Sequence, residues 1–452
     1  MYIEKTSNFI FYDYETFGKN PMIDKPAQFA SIITDVNFNN IQNVVTFYCY
    51  PPNDYLPNPE SVLITGITPQ RTRLLGFNEA VFSRRIYDIF SSKNSCIIGY
   101  NNIQFDDEIT RNIFYRNFLD PYSWSWKHGN SRWDLINVLI AYYVLRPEGI
   151  KWPLNQEGFV SFKLQDITKK NDIQNYRIHD AGSDVYATME LTKKIRKCHP
   201  KLFNFLFKYR IKTNILNLIV LNKNKPMLYI SRFFGSIKNN FSIILCIKKH
   251  QYNNNVIIAY DLSKDVQDLV NYLISTNFKL LDKSILFKKG LLFIYLNKCP
   301  ILVPFSMLRQ KDLIRLRIDL NKYRINFIEL KKNIAIFMKI QNSLVDFSYS
   351  CLSYDVDLQI YAGFLSAHDK LLASKVQTMD PFILSQIHTK LCFFDNRMKE
   401  LLFRYRARNY PETLNNIEQK TWKNHCKNFL NDDYLKEYRL KLKEFMMVNA
   451  HN

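Results

Sequence analysis

Glycine is scarce in this chain, with 11 among 452 residues. No internal repeat and no long low-complexity tract occurs, which excludes repeat architectures. No G-x-x-x-x-G-K-[ST] string is present, which argues against a P-loop motor. The eight cysteines (49, 96, 198, 246, 299, 351, 392 and 426) are widely spaced and form no C-x-x-C. That spacing argues against a zinc module or a disulfide framework and for reduced thiols. The most apolar run, Ile215 to Leu221, is far too short to span a bilayer. The N-terminus carries neither a charged leader region nor an apolar segment behind it, so no secretory signal is expected. A cytoplasmic protein with no membrane partner is the expectation.

Apolar residues are abundant, at 47%, and aromatics reach 15%. Large cores are therefore available, and a chain of 452 residues is expected to divide into two or three domains. The abundance of Asn, Lys, Ile, Phe and Tyr is the bias of an AT-rich genome. The formal net charge is +21, which suggests an anionic partner. Its distribution is uneven. Residues 1–190 hold 18 Lys/Arg against 21 Asp/Glu, whereas residues 191–452 hold 44 against 20. Codon bias alone would act on both parts alike.

The first strand is read at 9–15, where Phe9 to Tyr12 are aromatic or β-branched. Asp13 and Glu15 follow, and residues i and i+2 of a strand share a face. An isolated Asp-x-Glu is ordinarily two solvated acids at a strand end. Held side by side away from water, the two would repel unless a cation neutralised them. Further strands are read at 28–36 and 42–50, then a Pro-rich loop over 51–59 and a short connector, Ile64 to Pro69, before a helix at 79–90. Cys96 to Tyr100 reads as a buried strand, and Asp106 opens a helix through Asn117. Ser131 is taken to begin a helix to Leu145, Asp166 lies in a short helix, and Asp180 caps a helix ending near Lys197. Strands followed by alternating strands and helices make 1–190 an α/β domain.

Pro200 marks a boundary. Strands at 227–230, 243–247, 256–261 and 291–296 surround one helix at 265–278, a small barrel or curled sheet. From Tyr354 onward, helices are read at 357–364, 381–391, 396–406, 414–429 and 433–447.

Four acids and a histidine thus fall at strand ends and helix starts: Asp13, Glu15, Asp106, Asp184 and His179. Phosphodiester hydrolysis needs a nucleophilic water and stabilisation of the leaving oxygen. Two Mg²⁺ ions on carboxylates can provide both, and a histidine can take the proton from water.

Asp13-x-Glu15, the later Asp106, and His179 five residues before Asp184 resemble the DEDDh branch of the DEDD exonuclease superfamily. The strings 11–18, 26–30, 62–70, 99–102, 110–118, 130–134 and 401–409 resemble the bacterial exodeoxyribonuclease I family within that branch. The resemblance covers nearly the whole chain. It implies a multi-domain α/β protein: an RNase H-like exonuclease domain with a mixed sheet (9–197), an SH3-like β domain (200–346) and an all-α C-terminal domain (350–452). Together these would form a closed groove over single-stranded DNA. It implies processive 3′→5′ release of nucleoside 5′-monophosphates from single-stranded DNA by a monomer, with a role in DNA repair and recombination. It further implies Asp13, Glu15 and Asp184 as ligands of two Mg²⁺, Asp106 as the fourth acid and His179 as general base. Glu15, Lys163, Arg111, Tyr122, Trp126, Ile64 and Lys298 match substrate-contacting positions. The family has Arg where Lys163 stands, and Lys keeps the charge but loses the bidentate fork. Ile64 would wedge the last base; the competing reading is a buried loop residue. Core packing competes for Tyr122 and Trp126. The implied protein partner is the acidic tail of single-stranded-DNA-binding protein, with Arg146 as a candidate contact. The chain ends at Asn452, earlier than members of the family, and a last helix of the family is expected to be lacking.

Two other readings stand beside this one. A degenerate nuclease that only holds DNA would be free to lose one of the five residues, and all five are present. A proofreading or RNA-trimming DEDDh enzyme would not need the long basic part.

Overall fold

A computed structural model describes residues 6–174, 180–276, 281–340 and 355–449. Strand β1 (Asn8–Thr16) is buried along its apolar half, with Phe9, Ile10, Phe11 and Tyr12 all at 1% exposure or less. It pairs antiparallel with β2 (Pro26–Asp35), which pairs with β3 (Val45–Tyr48). On its other side β1 runs parallel to β4 (Ser95–Gly99), from Asn8–Ser95 to Phe11–Ile98. A central strand covered on both faces needs a continuous apolar run, and this one has it. The parallel register stops at Phe11, so Asp13 and Glu15 project past the carboxyl end of β4, where open α/β sheets place their sites.

Helices α1 (Pro59–Thr65) and α2 (Pro69–Leu75) occupy the stretch read from sequence as loop and connector. Each begins on proline behind a side-chain cap, Asn58 and Thr68, and proline at the first helical position removes no bond the helix would have made. Gly66, at φ 67, ends α1 in the left-handed region. Then come α3 (Glu79–Phe90) and α4 (Asp106–Arg116), both as read. Ser131–Asp134 is strand β5 and not a helix start; α5 (Leu135–Leu145) begins one residue later because the Asp134 side chain caps the Ile136 amide. Next are α6 (Leu164–Lys170) and α7 (Ala181–Cys198).

Beyond them lie α8 (Pro200–Lys208), α9 (Lys212–Leu221), β6 (Met227–Ile230), β7 (Phe241–Lys249), β8 (Val256–Asp261), α10 (Val266–Ser275), α11 (Lys283–Lys288), β9 (Leu291–Tyr295), β10 (Ile301–Pro304), α12 (Gln310–Arg315), α13 (Leu320–Lys332) and α14 (Ile334–Lys339). The strands form an antiparallel sheet in the order β10-β6-β7-β8-β9 around Ile244, Ile257, Leu292 and Leu302. Among the described residues six further helices, α8, α9 and α11 to α14, join the single one expected there. Asp282 and Asp319 cap two of them.

The carboxyl-terminal part is helical: α15 (Ala367–Thr378), α16 (Pro381–Ile387), α17 (Asn396–Asn409), α18 (Asn416–Phe429) and α19 (Asp432–Asn449). The helix expected at 357–364 is instead a single turn, Val356–Leu358, after which the chain runs through Gly363 to α15. Among the described residues no helix is long and apolar enough to cross a membrane.

The described chain falls into two compact units. One comprises residues 6–130, 180–186 and 355–449; the other comprises 131–174, 187–276 and 281–340. In the first unit, one core joins Ile10, Tyr12 and Tyr14 to Phe82 and Phe90 of α3 and to Ile113 and Phe114 of α4. A second core sets Tyr115 and Phe118 against Leu372, Val376 and Leu401 of the carboxyl-terminal helices.

Candidate active site

Three carboxylates converge in the first unit: one oxygen each from Asp13, Glu15 and Asp184 lies within 4.8 Å of the others. Asp13 and Glu15 share a face of β1. Asp184 comes from the first turn of α7, some 170 residues away in sequence. The link between those elements is Gln28, which stands opposite Glu15 on β2 and is 1% exposed. Its amide nitrogen donates to Asp180 Oδ1 (3.0 Å), and its Oε1 accepts from the Ala181 amide (3.2 Å). Asp180 in turn accepts from the Ser183 amide at 3.2 Å, the capping role read from sequence. So β2 holds the start of α7, and that start carries Asp184. Gln28 was not singled out from sequence, because its role appears only when strand register and helix entry meet.

Asp106 opens α4 and is 4% exposed. Its Oδ1 accepts the Tyr14 amide at 3.3 Å, which draws it to β1 between the two other acids of that strand. His179 lies outside the described residues.

The electrostatics follow from this crowding. Burial, then the charges of Asp106, Asp184 and Glu15, push the Asp13 carboxyl well above its ordinary range. Burial, then Asp184 and Asp106, raise Glu15 to about 8. Such a set is costly by itself. An all-oxygen, acidic donor set of this size fits a hard divalent cation, and not a soft metal that prefers thiolate or imidazole.

The expected substrate-contacting residues divide between the units. In the first unit, Arg111 is mostly buried, its guanidinium 2.5 Å from Glu108 and 3.4 Å from the Tyr361 hydroxyl. Tyr122 is half-buried; its hydroxyl donates to the Ile360 carbonyl (3.0 Å), and its ring meets Tyr361 and Phe364 at 6.4 and 5.6 Å. Trp126 is 66% exposed, so it is not core; the buried tryptophan of this turn is Trp124. Ile64 lies on α1 and is 46% exposed, which overturns the buried-loop reading. Tyr361 and Phe364, the latter 79% exposed, extend the aromatic surface around Tyr122 and carry no local sequence signal. In the second unit, Lys163 is an exposed residue at the start of α6, and Lys298 is exposed with its ammonium 5.8 Å from the Tyr295 ring centre. Arg146 donates to the Met307 carbonyl at 3.1 Å, close to Arg309.

Comparison with known proteins adds three matching family models: Exonuclease over residues 10–192, Exonuclease I SH3-like domain over 210–345, and Exonuclease I C-terminal domain over 354–452. Exodeoxyribonuclease I of Buchnera aphidicola subsp. Schizaphis graminum is 48% identical over 98% of this chain and 92% of its own length. The crystal structure of Escherichia coli exonuclease I in complex with a dA16 oligonucleotide superposes with a TM-score of 0.91 at 41% identity, covering 99% of this chain and 96% of the other. A crystal structure of SSB/exonuclease I in complex with the inhibitor CFAM gives 0.90 at 41%, with the same coverage. The expected SH3-like and carboxyl-terminal parts and the mixed sheet are therefore present, and the chain, an exonuclease, belongs to the exodeoxyribonuclease I family.

Proposed function

We propose that this exonuclease degrades single-stranded DNA from the 3′ end, processively and as a monomer, releasing nucleoside 5′-monophosphates. The observation that carries the reading is the meeting of Asp13, Glu15 and Asp184 within 4.8 Å at the end of β1. It is supported by relatives that bear this activity's name and by the oligonucleotide bound to the Escherichia coli enzyme.

Asp13, Glu15 and Asp184 would hold two divalent cations, magnesium first; bound there, these neutralise the phosphate and stabilise the attacking and leaving oxygens. His179 takes a proton from the attacking water as its oxygen bonds to the terminal phosphorus. The bond from phosphorus to the 3′-oxygen of the preceding nucleotide breaks, leaving a new 3′-hydroxyl. Asp106 completes the acidic set. Glu15, Lys163 and Arg111 contact the reacting end, with Lys163 as a point charge and not a fork. Ile64 wedges the last base, and Tyr122 and Trp126 stack bases without reading their identity. Lys298 supplies a further cation toward the backbone. We take the three functional parts as 9–197, 200–346 and 350–452. The site of action is the cytoplasm, in DNA repair and recombination. The basic second part of the chain, with Arg146, receives the acidic tail of single-stranded-DNA-binding protein.

The decisive experiment digests 3′- and 5′-labelled single- and double-stranded DNA with and without Mg²⁺. Mg²⁺-dependent loss of the 3′ label from single strands is expected; release of the 5′ label first, or activity in chelator, overturns the reading. His179→Ala should slow the chemical step by roughly 10²–10⁴-fold, and it should also remove the acidic limb of the pH–rate profile. DNA affinity should fall linearly on a log–log plot as salt rises; a flat response would dismiss the basic grip.

A further inference from the structure

The two residues that flank the acids on the hidden side of the site are bonded to each other. Tyr12 precedes Asp13, and Asp107 follows Asp106. Adjacent strand residues face opposite ways, so while Asp13 points to the site, Tyr12 points into the core beneath it and is 1% exposed. There the Tyr12 hydroxyl donates to Asp107 Oδ1 at 2.5 Å. Asp107 is completely buried. The same oxygen accepts from the Asn102 amide at 3.2 Å, and the Asp107 backbone amide donates to the Asn102 carbonyl at 2.8 Å. Asn102, also fully buried, has room because position 99 is glycine: a Cβ there would stand 2.6 Å from the Asn102 Cβ.

A carboxylate buried against an aromatic core costs several kcal/mol in desolvation, and apolar side chains would dock a helix on a strand without that cost. What the carboxylate adds is direction. An apolar contact tolerates sliding, whereas a short charge-assisted hydrogen bond fixes one atom against another. Because its ends are the covalent neighbours of Asp13 and Asp106, this bond sets the separation of those two acids.

We propose that Asp107, held by Tyr12 and Asn102, is a positioning residue that fixes Asp106 relative to Asp13. This rests on Asp106 belonging to the catalytic set proposed above. The structure offers its own control. Arg116, at the other end of α4 from Asp106, donates to Glu79 of α3 at 2.8 Å. Arg116→Met breaks a buried charged contact of the same helix without touching Asp13, Asp106 or the neighbour of either.

The experiment measures kcat and KM on labelled single-stranded DNA, and the thermal midpoint, for Asp107→Asn, Tyr12→Phe, Arg116→Met, Asp106→Asn and the double variant Asp106→Asn/Asp107→Asn. Asp107→Asn and Tyr12→Phe should each lower kcat by about 10–100-fold, the usual cost of losing a group that orients a site residue, with KM unchanged. Arg116→Met should lower the midpoint but leave kcat unchanged. The double variant should be no slower than Asp106→Asn alone, since a residue acting through Asp106 has nothing left to position. Loss of kcat in Arg116→Met as large as in Asp107→Asn overturns the proposal, as does a further slowing of the double variant. If Asp107→Asn does not fold, Tyr12→Phe decides by the same criteria. Wild-type cleavage by Asp106→Asn would instead remove the catalytic reading of that acid, a separate failure.

Discussion

Two groups of acids in the same unit, one half-buried and one buried, end in opposite states. At the end of β1, burial and mutual repulsion push Asp13 and Glu15 up from the ordinary carboxylate range. Between the loop before α1 and the carboxyl-terminal helices, Asp54 and Asp357 are 5% and 7% exposed, yet both are held well below that range. Burial would raise these two as well; the Arg408 guanidinium overcomes it. Arg408 donates to Asp54 at 2.7 Å and to Asp357 at 2.5 Å, and Arg404 reaches Asp357 at 3.2 Å. At Asp54 and Asp357 the fold supplies the cation; at Asp13 and Glu15 the charges that bear on them are those of other carboxylates. A buried acid with its counter-charge built in is a fastening. An acidic set whose members repel one another is maintained at a cost to stability, one that a bound cation would relieve.

That contrast can be broken most sharply at Asp13. Asp13→Ala should cut DNA hydrolysis by roughly 10³-fold or more, the scale of removing one member of a catalytic set. It should also leave the thermal midpoint of the metal-free protein unchanged or higher, because a repelling charge is gone. A lowered midpoint with near-normal cleavage would make the acidic set structural after all.

Arg408→Met should do the reverse. It strands Asp54 and Asp357 without their cation and should destabilise by about 3–5 kcal/mol, read by chemical denaturation. Hydrolysis per folded molecule should be unchanged. A stability near wild type would mean that the apolar replacement packs as well as the ion pairs hold.

The smallest effect is a slope. The folded state holds the Glu15 proton up to about pH 8, whereas the unfolded chain releases it at about pH 4.3. Between those values the native state binds more protons, so this contribution is full at the acid end and lost as pH rises through about 8. The midpoint of the metal-free protein should therefore fall more steeply from about pH 5 to about pH 8 than that of Glu15→Gln. Mg²⁺ should restore more at the alkaline end. Parallel slopes in the two proteins would show that Glu15 is not charged against its surroundings.

Much of this was legible in the residue order. The apolar run of β1 could only be an interior strand, and Asp13 and Glu15 had to share a face. The acids of the first turn of α4 and the cap at Asp180 stood where helix starts are written. The misread places differ in cause. Proline-led α1 and α2 look like loop until Asn58 and Thr68 are seen capping them. Ser131–Asp134 reads as helix because it runs into the apolar α5, yet it is a strand. Tyr361 and Phe364 gain meaning beside Tyr122, some 240 residues earlier.

The sequence by itself determined which strand runs would be buried, which acids would lie at element ends, and that one stretch of the chain is basic while the other is not. These follow from hydrophobic period, capping chemistry and charge, all readable within a few residues. Only the tertiary structure decided which acids meet and which are neutralised. Gln28 brings Asp184 to Asp13 and Glu15, Asp107 is bonded under Asp106, and Arg408 is delivered to Asp54 from 354 residues away and to Asp357 from 51. The physical reason is that a carboxylate's energy depends on what stands within a few ångströms, and chain order does not specify those distances.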